Sequence, residues 1–197
     1  SMTYLRILLC AILVSLTSIA NAFSPYENTL ASVAQQRIGL IALAQPEQLK
    51  QLTKLAAKIS QQNEQLKPLH INDLQIFFRK VDKHLMVFAY FESPVKSISG
   101  WENQLANASA ELKQLTSQLK VHPRAGKSVW LRMEWINLVA NNEVFPYAGK
   151  KVQPMGFISA LKPEFELQYR SLHQANWPGV VDGMVKSNYR NWTSFIV

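Results

Sequence analysis

The chain of 197 residues is 48% hydrophobic and 17% charged, and this balance excludes an intrinsically disordered polymer. Its 21 Lys and Arg residues exceed its 13 Asp and Glu residues, which gives a formal net charge of +8. The basic residues are scattered in runs no longer than two, so neither composition nor charge indicates a nucleic-acid partner.

Residues 1–22 are predicted to be a cleaved signal peptide. Arg6 precedes an apolar run over residues 7–14, and the segment ends at Ala20-Asn21-Ala22, the small residues that signal peptidase requires. The apolar core is shorter than the roughly 20 residues needed to span a bilayer, although an N-terminal membrane anchor is the alternative. We therefore expect a periplasmic or secreted protein that begins at Phe23 and has no membrane attachment after cleavage.

The only cysteine, Cys10, lies inside this signal segment. A mature chain without cysteine has no disulfide, no thiol nucleophile and no thiolate metal ligand. Its stability must therefore come from an apolar core.

Residues 37–140 are predicted to form a complete α+β unit of the ferredoxin-like type. The apolar run 37–44 has strand length, and Pro46 and Glu47 begin an amphipathic helix. Further along the chain we predict two strands joined by a turn at Asp82-Lys83, a second helix and a closing strand, at about 71–81, 84–92, 100–120 and 129–139. The order βαββαβ predicts an antiparallel sheet with two helices on one face.

Residues 153–197 are predicted to be the N-terminal part of a second repeat. A displacement of 117 residues matches Gly39 to Gly156, Ile41 to Ile158, Pro46 to Pro163 and Glu47 to Glu164. The second copy ends inside the equivalent of the second strand, so the sequence is interpreted as a fragment with a truncated second repeat. Since each sheet has one face uncovered by its own helices, we expect the repeats to pack sheet to sheet within one chain.

One helical face of the second repeat is predicted to carry Phe165, Tyr169, His173 and Trp177, which are spaced four residues apart. A phenol, an imidazole and an indole can bind sugar hydroxyls and stack on sugar C–H faces, and an imidazole exchanges protons near neutral pH. The alternative is a buried histidine with one hydrogen bond among space-filling aromatic rings. The first repeat favours the functional interpretation, because it has Leu52, Ala56 and Ser60 at the positions of Tyr169, His173 and Trp177.

Residues 156–193 resemble the N-terminal part of the L-rhamnose mutarotase family. The resemblance rests on a strand led by Gly156, followed by Leu161-Lys-Pro-Glu164, Tyr169-Arg-Ser-Leu-His173, Trp177-Pro-Gly179 and Ser187-Asn-Tyr-Arg-Asn-Trp192. The first repeat resembles the later half of the family more faintly, in the segments 87–92 and 130–134.

The resemblance implies a pair of ferredoxin-like repeats arranged as a dimeric α/β-barrel, formed within one chain or by a homodimer. It implies that His173 is the proton donor and that Tyr169 contacts the sugar. Trp192 would line the pocket, where the family usually has tyrosine, and Trp177 is the third candidate for substrate binding. A Trp-Trp pair that completes the family's pocket is absent from the first repeat, where residues 115–119 take its place.

The predicted function is that of an exported mutarotase-like isomerase that interconverts the α and β anomers of an aldose, with L-rhamnose implied by the resemblance alone. Such general acid–base catalysis requires neither a metal nor a nucleotide cofactor, and the partner is a small sugar. The first repeat is expected to be inactive, the second catalytic, and the fragment itself inactive; the proton acceptor is not assigned, with Asp182 a weak candidate. The alternatives are a non-catalytic sugar-binding or assembly module and a different enzyme on the same fold.

Overall fold

The computed structural model describes residue 30 and residues 33–95, 100–149 and 151–197. The predicted signal peptide, its cleavage site and Cys10 lie outside the described residues. Within these described ranges, no helix has both the length and the apolar character needed to cross a membrane.

The first unit contains a four-stranded antiparallel sheet. Its strands are β1 Gln36–Ala44, β2 Asn72–Val81, β3 His84–Ser93 and β4 Leu131–Arg132, in the order β2-β3-β1-β4. β1 pairs with β3 along its whole length, from Gln36 opposite Ser93 to Ala44 opposite Leu85. The predicted hairpin turn at Asp82-Lys83 is confirmed, and the α+β class is confirmed with a topology compatible with the ferredoxin-like fold.

Helices cover one face of this sheet. They are α1 Leu49–Ile59, the single turn α2 Asn63–Leu66, α3 Trp101–Asn107 and α4 Ala110–Ser117. Alternate residues of β1, beginning with Ile38 and Leu40, point into a core that includes Leu52 and Trp101, all of which are buried. Pro46 lies in a 3₁₀ turn directly before α1, where its missing N–H costs no helical hydrogen bond.

The single helix predicted over residues 100–120 is wrong in one respect, because it breaks before Ser109. Ser109 has an extended backbone, and its hydroxyl accepts a hydrogen bond from the Leu112 N–H at 3.2 Å, so it caps a new helix. Serine competes with helical hydrogen bonding in this way and therefore favours the N-cap over a helix interior.

The strand predicted over residues 129–139 divides between two sheets. β4 stays with β1, where Leu40 lies opposite Arg132, but β5 Glu134–Val139 turns away after Met133. β5 pairs instead with β6 Trp192–Ile196, and Val139 lies opposite Trp192. The prediction of a strand is correct for Leu131–Arg132 and Glu134–Val139 but not for residues 129–130, and only the first of these two strands closes the sheet of the first unit.

The strand predicted at the start of the second repeat is not formed. Residues 151–162 have no regular secondary structure and are exposed, apart from the half-buried Leu161. A 3₁₀ turn at Pro163–Phe165 leads into α5 Glu166–Leu172, and α6 Pro178–Lys186 precedes β6. β6 pairs with β5 of the first unit, and no described strand is hydrogen-bonded to residues 156–161, so this segment lacks the partner that a strand requires.

The face of the first sheet that carries no helices is contacted by the second half of the chain. A Cβ atom added to Gly39 would lie 2.9 Å from Cδ1 of Phe195, and one added to Gly156 would lie 2.8 Å from Cγ of Phe77. Phe195 also makes edge contacts with Phe88 and Tyr90 at ring-centroid distances of 5.9 and 6.3 Å. The absence of a side chain at each glycine therefore allows close packing between the two halves.

Candidate active site

Tyr169 and His173 lie together at the end of α5. Their ring centroids are 4.1 Å apart with an interplanar angle of 31°, and both side chains are half-buried. The contact follows from the four-residue spacing, which brings two side chains to the same face of one helical turn. The sequence prediction of this pair as neighbours is confirmed.

Backbone geometry fixes one side of the His173 imidazole. His173 is the first residue after α5, and its Nδ1 atom lies 2.7 Å from the carbonyl oxygen of Tyr169. A carbonyl oxygen can only accept, so Nδ1 carries the hydrogen in this contact. In the neutral ring Nε2 is then the basic nitrogen, and in the protonated ring it is a donor, so one atom can serve both directions of proton transfer.

The prediction that Trp177 shares the helical face of Tyr169 and His173 is wrong. α5 ends at Leu172, and Trp177 has an extended backbone with φ −71° and ψ 128°. The cause is Pro178, because a proline disfavours helical geometry at the residue before it and is itself well suited to begin the next helix. Trp177 is 67% exposed, and Phe165 lies in the preceding 3₁₀ turn with 50% exposure.

Trp192 lies at the start of β6 within an exposed aromatic patch. Its ring stacks on Phe157 at a centroid distance of 5.6 Å and meets the edge of Tyr189 at 6.2 Å. Phe157 is 71% exposed and Trp192 37% exposed. The family resemblance identified Trp192 but not Phe157, whose exposure depends on residues 151–162 forming no strand.

Two polar contacts hold the segment around His173 against β5. The Asn176 side-chain Nδ2 donates to the Leu138 carbonyl oxygen at 2.8 Å. Arg170 forms an ion pair with Glu134 at 2.8 Å and a second one with Glu166 at 2.9 Å. The end of α5 and the turn that follows it are thus attached to the last strand contributed by the first unit.

A buried polar cluster at the junction of the two halves was missed by sequence reasoning. Arg37 and Glu92 lie opposite each other on β1 and β3, and their Nε and Oε1 atoms are 3.4 Å apart, an ion-pair contact without hydrogen-bond geometry. The Arg37 side chain is fully buried, and its Nη2 donates to Asn191 at 3.2 Å and to Asn141 at 3.4 Å. The signal that could have found it is a charged residue at the end of each of two apolar strands.

Burial is the main cause of the pKa shifts of the acidic groups in this cluster. Burial raises the pKa of the Glu92 carboxyl above its ordinary value, and the Arg37 charge and a hydrogen bond from the Tyr90 hydroxyl at 2.8 Å offset part of the effect. Burial and the neighbouring Glu92 charge raise the pKa of Tyr90, so this phenol stays protonated and remains a donor.

The other candidate residues do not assemble into a site. Asp182, the weak candidate for proton acceptor, is exposed on α6. In the part of the chain that the structure describes, no three His, Cys, Asp or Glu side chains are grouped as metal ligands. The His122 imidazole accepts a hydrogen bond from the Arg124 N–H at 3.2 Å, and burial followed by the Arg124 charge lowers its pKa.

Comparison with models of protein families and with curated proteins gives no match to this chain.

Proposed function

We propose that the chain is part of an exported, mutarotase-like isomerase that interconverts the anomers of an aldose by general acid–base catalysis. The observation that carries the proposal is the contact of Tyr169 with His173, in which the Tyr169 carbonyl holds Nδ1 of the imidazole at 2.7 Å. The resemblance of residues 156–193 to L-rhamnose mutarotases assigns the sugar-contacting and proton-transferring roles to these two residues.

The proposed chemistry uses only proton transfers. Mutarotation opens the pyranose ring when a proton leaves the anomeric hydroxyl and another reaches the ring oxygen; rotation of the aldehyde and closure on the other face give the second anomer. His173 Nε2 performs one of these transfers, and the hydroxyl of Tyr169 holds a sugar hydroxyl in place. A positioned acid or base of this kind contributes about 10²–10⁴-fold in rate.

The contacts between the halves support a pseudo-two-fold pair of repeats, which is the finer architecture that we propose. Gly39 packs against Phe195, and the matching Gly156 packs against Phe77. Phe77 follows Gly39 by 38 residues, and Phe195 follows Gly156 by 39. The two contacts are reciprocal but offset by one residue, because the displacement of 117 residues matches Phe195 to Phe78. Reciprocal contacts of this kind support a two-fold interface between two parts of one chain.

The exposed aromatic patch favours a second candidate function, a sugar-binding or assembly module without turnover. Phe157, Tyr189 and Trp192 of this patch offer ring surface to solvent, and aromatic rings stack on the apolar faces of sugars. This function needs no proton transfer, so it does not require His173.

Saturation-transfer NMR on the full-length protein distinguishes the two candidates. Added protein is expected to accelerate exchange of magnetisation between the α and β anomeric protons of L-rhamnose or another aldose in a panel. Binding of a sugar without any acceleration of its exchange would contradict the isomerase and support the binding module.

A further inference from the structure

The segment 170–176, which covers the end of α5 and most of the turn before α6, has one polar attachment on each side of His173. Arg170 lies three residues before His173 and pairs with Glu134, and Asn176 lies three residues after it and donates to Leu138. Both attachment points are on β5, four residues apart, a separation of about 13 Å along an extended strand. His173 is therefore carried by a short segment that is held at both ends.

The two attachments differ in how firmly they hold the turn. The Arg170 and Glu134 side chains are 29% and 60% exposed, and exposed ion pairs contribute little to stability because solvent screens them. The Asn176 contact instead joins a half-buried amide to the main chain of the buried Leu138. A hydrogen bond to a strand carbonyl also fixes direction, because the acceptor belongs to the rigid backbone of the sheet.

β5 is suited to this role because it is tied into both parts of the chain. It follows β4 of the first sheet after a single residue, Met133, whose N–H bonds the Gly39 carbonyl at 2.9 Å. One edge of β5 is hydrogen-bonded to β6, which belongs to the second half of the chain. The hydrogen bond of the Asn176 amide to this strand therefore holds His173 at a defined position relative to the sheet of the first unit.

We infer that Asn176 is a positioning residue for His173, and that its bond to the Leu138 carbonyl holds the imidazole in its working orientation. This inference rests on the proposed proton-transfer function of His173. It assigns a role to the first unit, which supplies the strand to which the reactive turn is attached.

The test compares Asn176→Leu, which keeps most of the side-chain volume but removes the N–H donor, with Gln174→Leu, the same type of change at an exposed position of the same turn. Asn176→Ala is a second removal variant for the case in which leucine prevents folding, and Asn176→Gln retains an amide donor. Two kinds of measurement are made on the full-length protein: NMR gives the ¹H–¹³C chemical shifts of the His173 imidazole, and exchange kinetics give kcat and KM.

We expect the imidazole shifts of His173 to change in Asn176→Leu and Asn176→Ala, to return towards wild type in Asn176→Gln, and to stay unchanged in Gln174→Leu. We expect kcat to fall about 10- to 100-fold in the two removal variants with little change in KM, since displacement of a catalytic group by about 1 Å has an effect of this size. Wild-type imidazole shifts in a folded removal variant, or changed shifts with wild-type kcat, would overturn the inference.

The same measurements separate this inference from the proposed function. If the wild-type protein does not exchange anomers but the His173 shifts depend on Asn176 as expected, the positioning role is supported and the isomerase is not. If the protein exchanges anomers and the shifts do not depend on Asn176, the isomerase is supported and the positioning role is wrong.

Discussion

Replacement of Gly39 by alanine tests the packing between the two halves of the chain. The added Cβ would lie 2.9 Å from Cδ1 of Phe195 and 3.0 Å from its Cγ and Cε1, so the ring must move by about half an ångström to reach ordinary contact distance. Overpacking of this kind lowers the free energy of unfolding by about 1–3 kcal/mol. Alanine loses less conformational entropy than glycine on folding, which raises the free energy of unfolding by about 0.5–1 kcal/mol. We therefore expect Gly39→Ala to lower the free energy of unfolding by about 1 kcal/mol, within limits of about 0 and 2.5 kcal/mol.

Gly183→Ala is the matched control, because Gly183 lies in α6 and an added Cβ there meets no atom within 4 Å. Alanine is favoured over glycine in a helix interior, so this variant should gain about 0.5–1 kcal/mol. Urea unfolding followed by far-UV circular dichroism measures both changes.

A double-mutant cycle assigns the cost of Gly39→Ala to its contact with Phe195. In a Phe195→Leu background the ring is gone, so Gly39→Ala should cost at least about 1 kcal/mol less than it does in the wild type. Equal costs in the two backgrounds would refute the contact between Gly39 and Phe195, and with it the proposed two-fold packing.

Three further predictions concern the polar groups. Arg37→Met should lower the free energy of unfolding by about 3 kcal/mol or more, because it leaves Glu92 buried without its cation; chemical denaturation showing less than about 1 kcal/mol would contradict this. The pKa of Glu92 is raised in the folded state, so protonated Glu92 favours folding at low pH and this contribution is lost as pH rises through that pKa. Glu92→Gln should therefore gain stability relative to wild type between pH 4 and pH 7 in denaturant titrations, and a difference that stays constant or falls would contradict the sign. Tyr169→Phe should raise KM for the sugar more than it lowers kcat in NMR exchange kinetics; the reverse pattern would move Tyr169 into the proton-transfer step.

Local patterns predicted the first unit well because its elements are set by short-range signals. Pro46 favours the start of a helix through its own fixed backbone angle, whatever the helix packs against. Asp82 and Lys83 form the turn between two strands in which alternate side chains face one core. The division of the closing strand at Met133 was not predictable in this way, because the side chains of an extended segment alternate in the same manner whichever strand is its neighbour.

In the candidate site too, local contacts could be predicted from the sequence and contacts between distant strands could not. Tyr169 and His173 were predicted as neighbours because one helical turn brings them together. The exclusion of Trp177 was readable from Pro178, whose effect on the preceding residue outweighs a four-residue repeat. A charged residue at the end of an apolar strand marks Arg37 and Glu92 separately, but their pairing depends on the register between β1 and β3, which is a non-local property.

The measurement that tests the central claim most directly is the anomer exchange rate of His173→Ala in the full-length protein, with Gln174→Ala as the control on the same turn. The first unit has Ala56 at the position that matches His173, so we expect the fold to tolerate alanine there, with a change in stability of about 1 kcal/mol or less by thermal melting. We predict that His173→Ala lowers the exchange rate by about 10²-fold or more while Gln174→Ala leaves it unchanged. An exchange rate for folded His173→Ala equal to that of the wild type would contradict the assignment of proton transfer to His173.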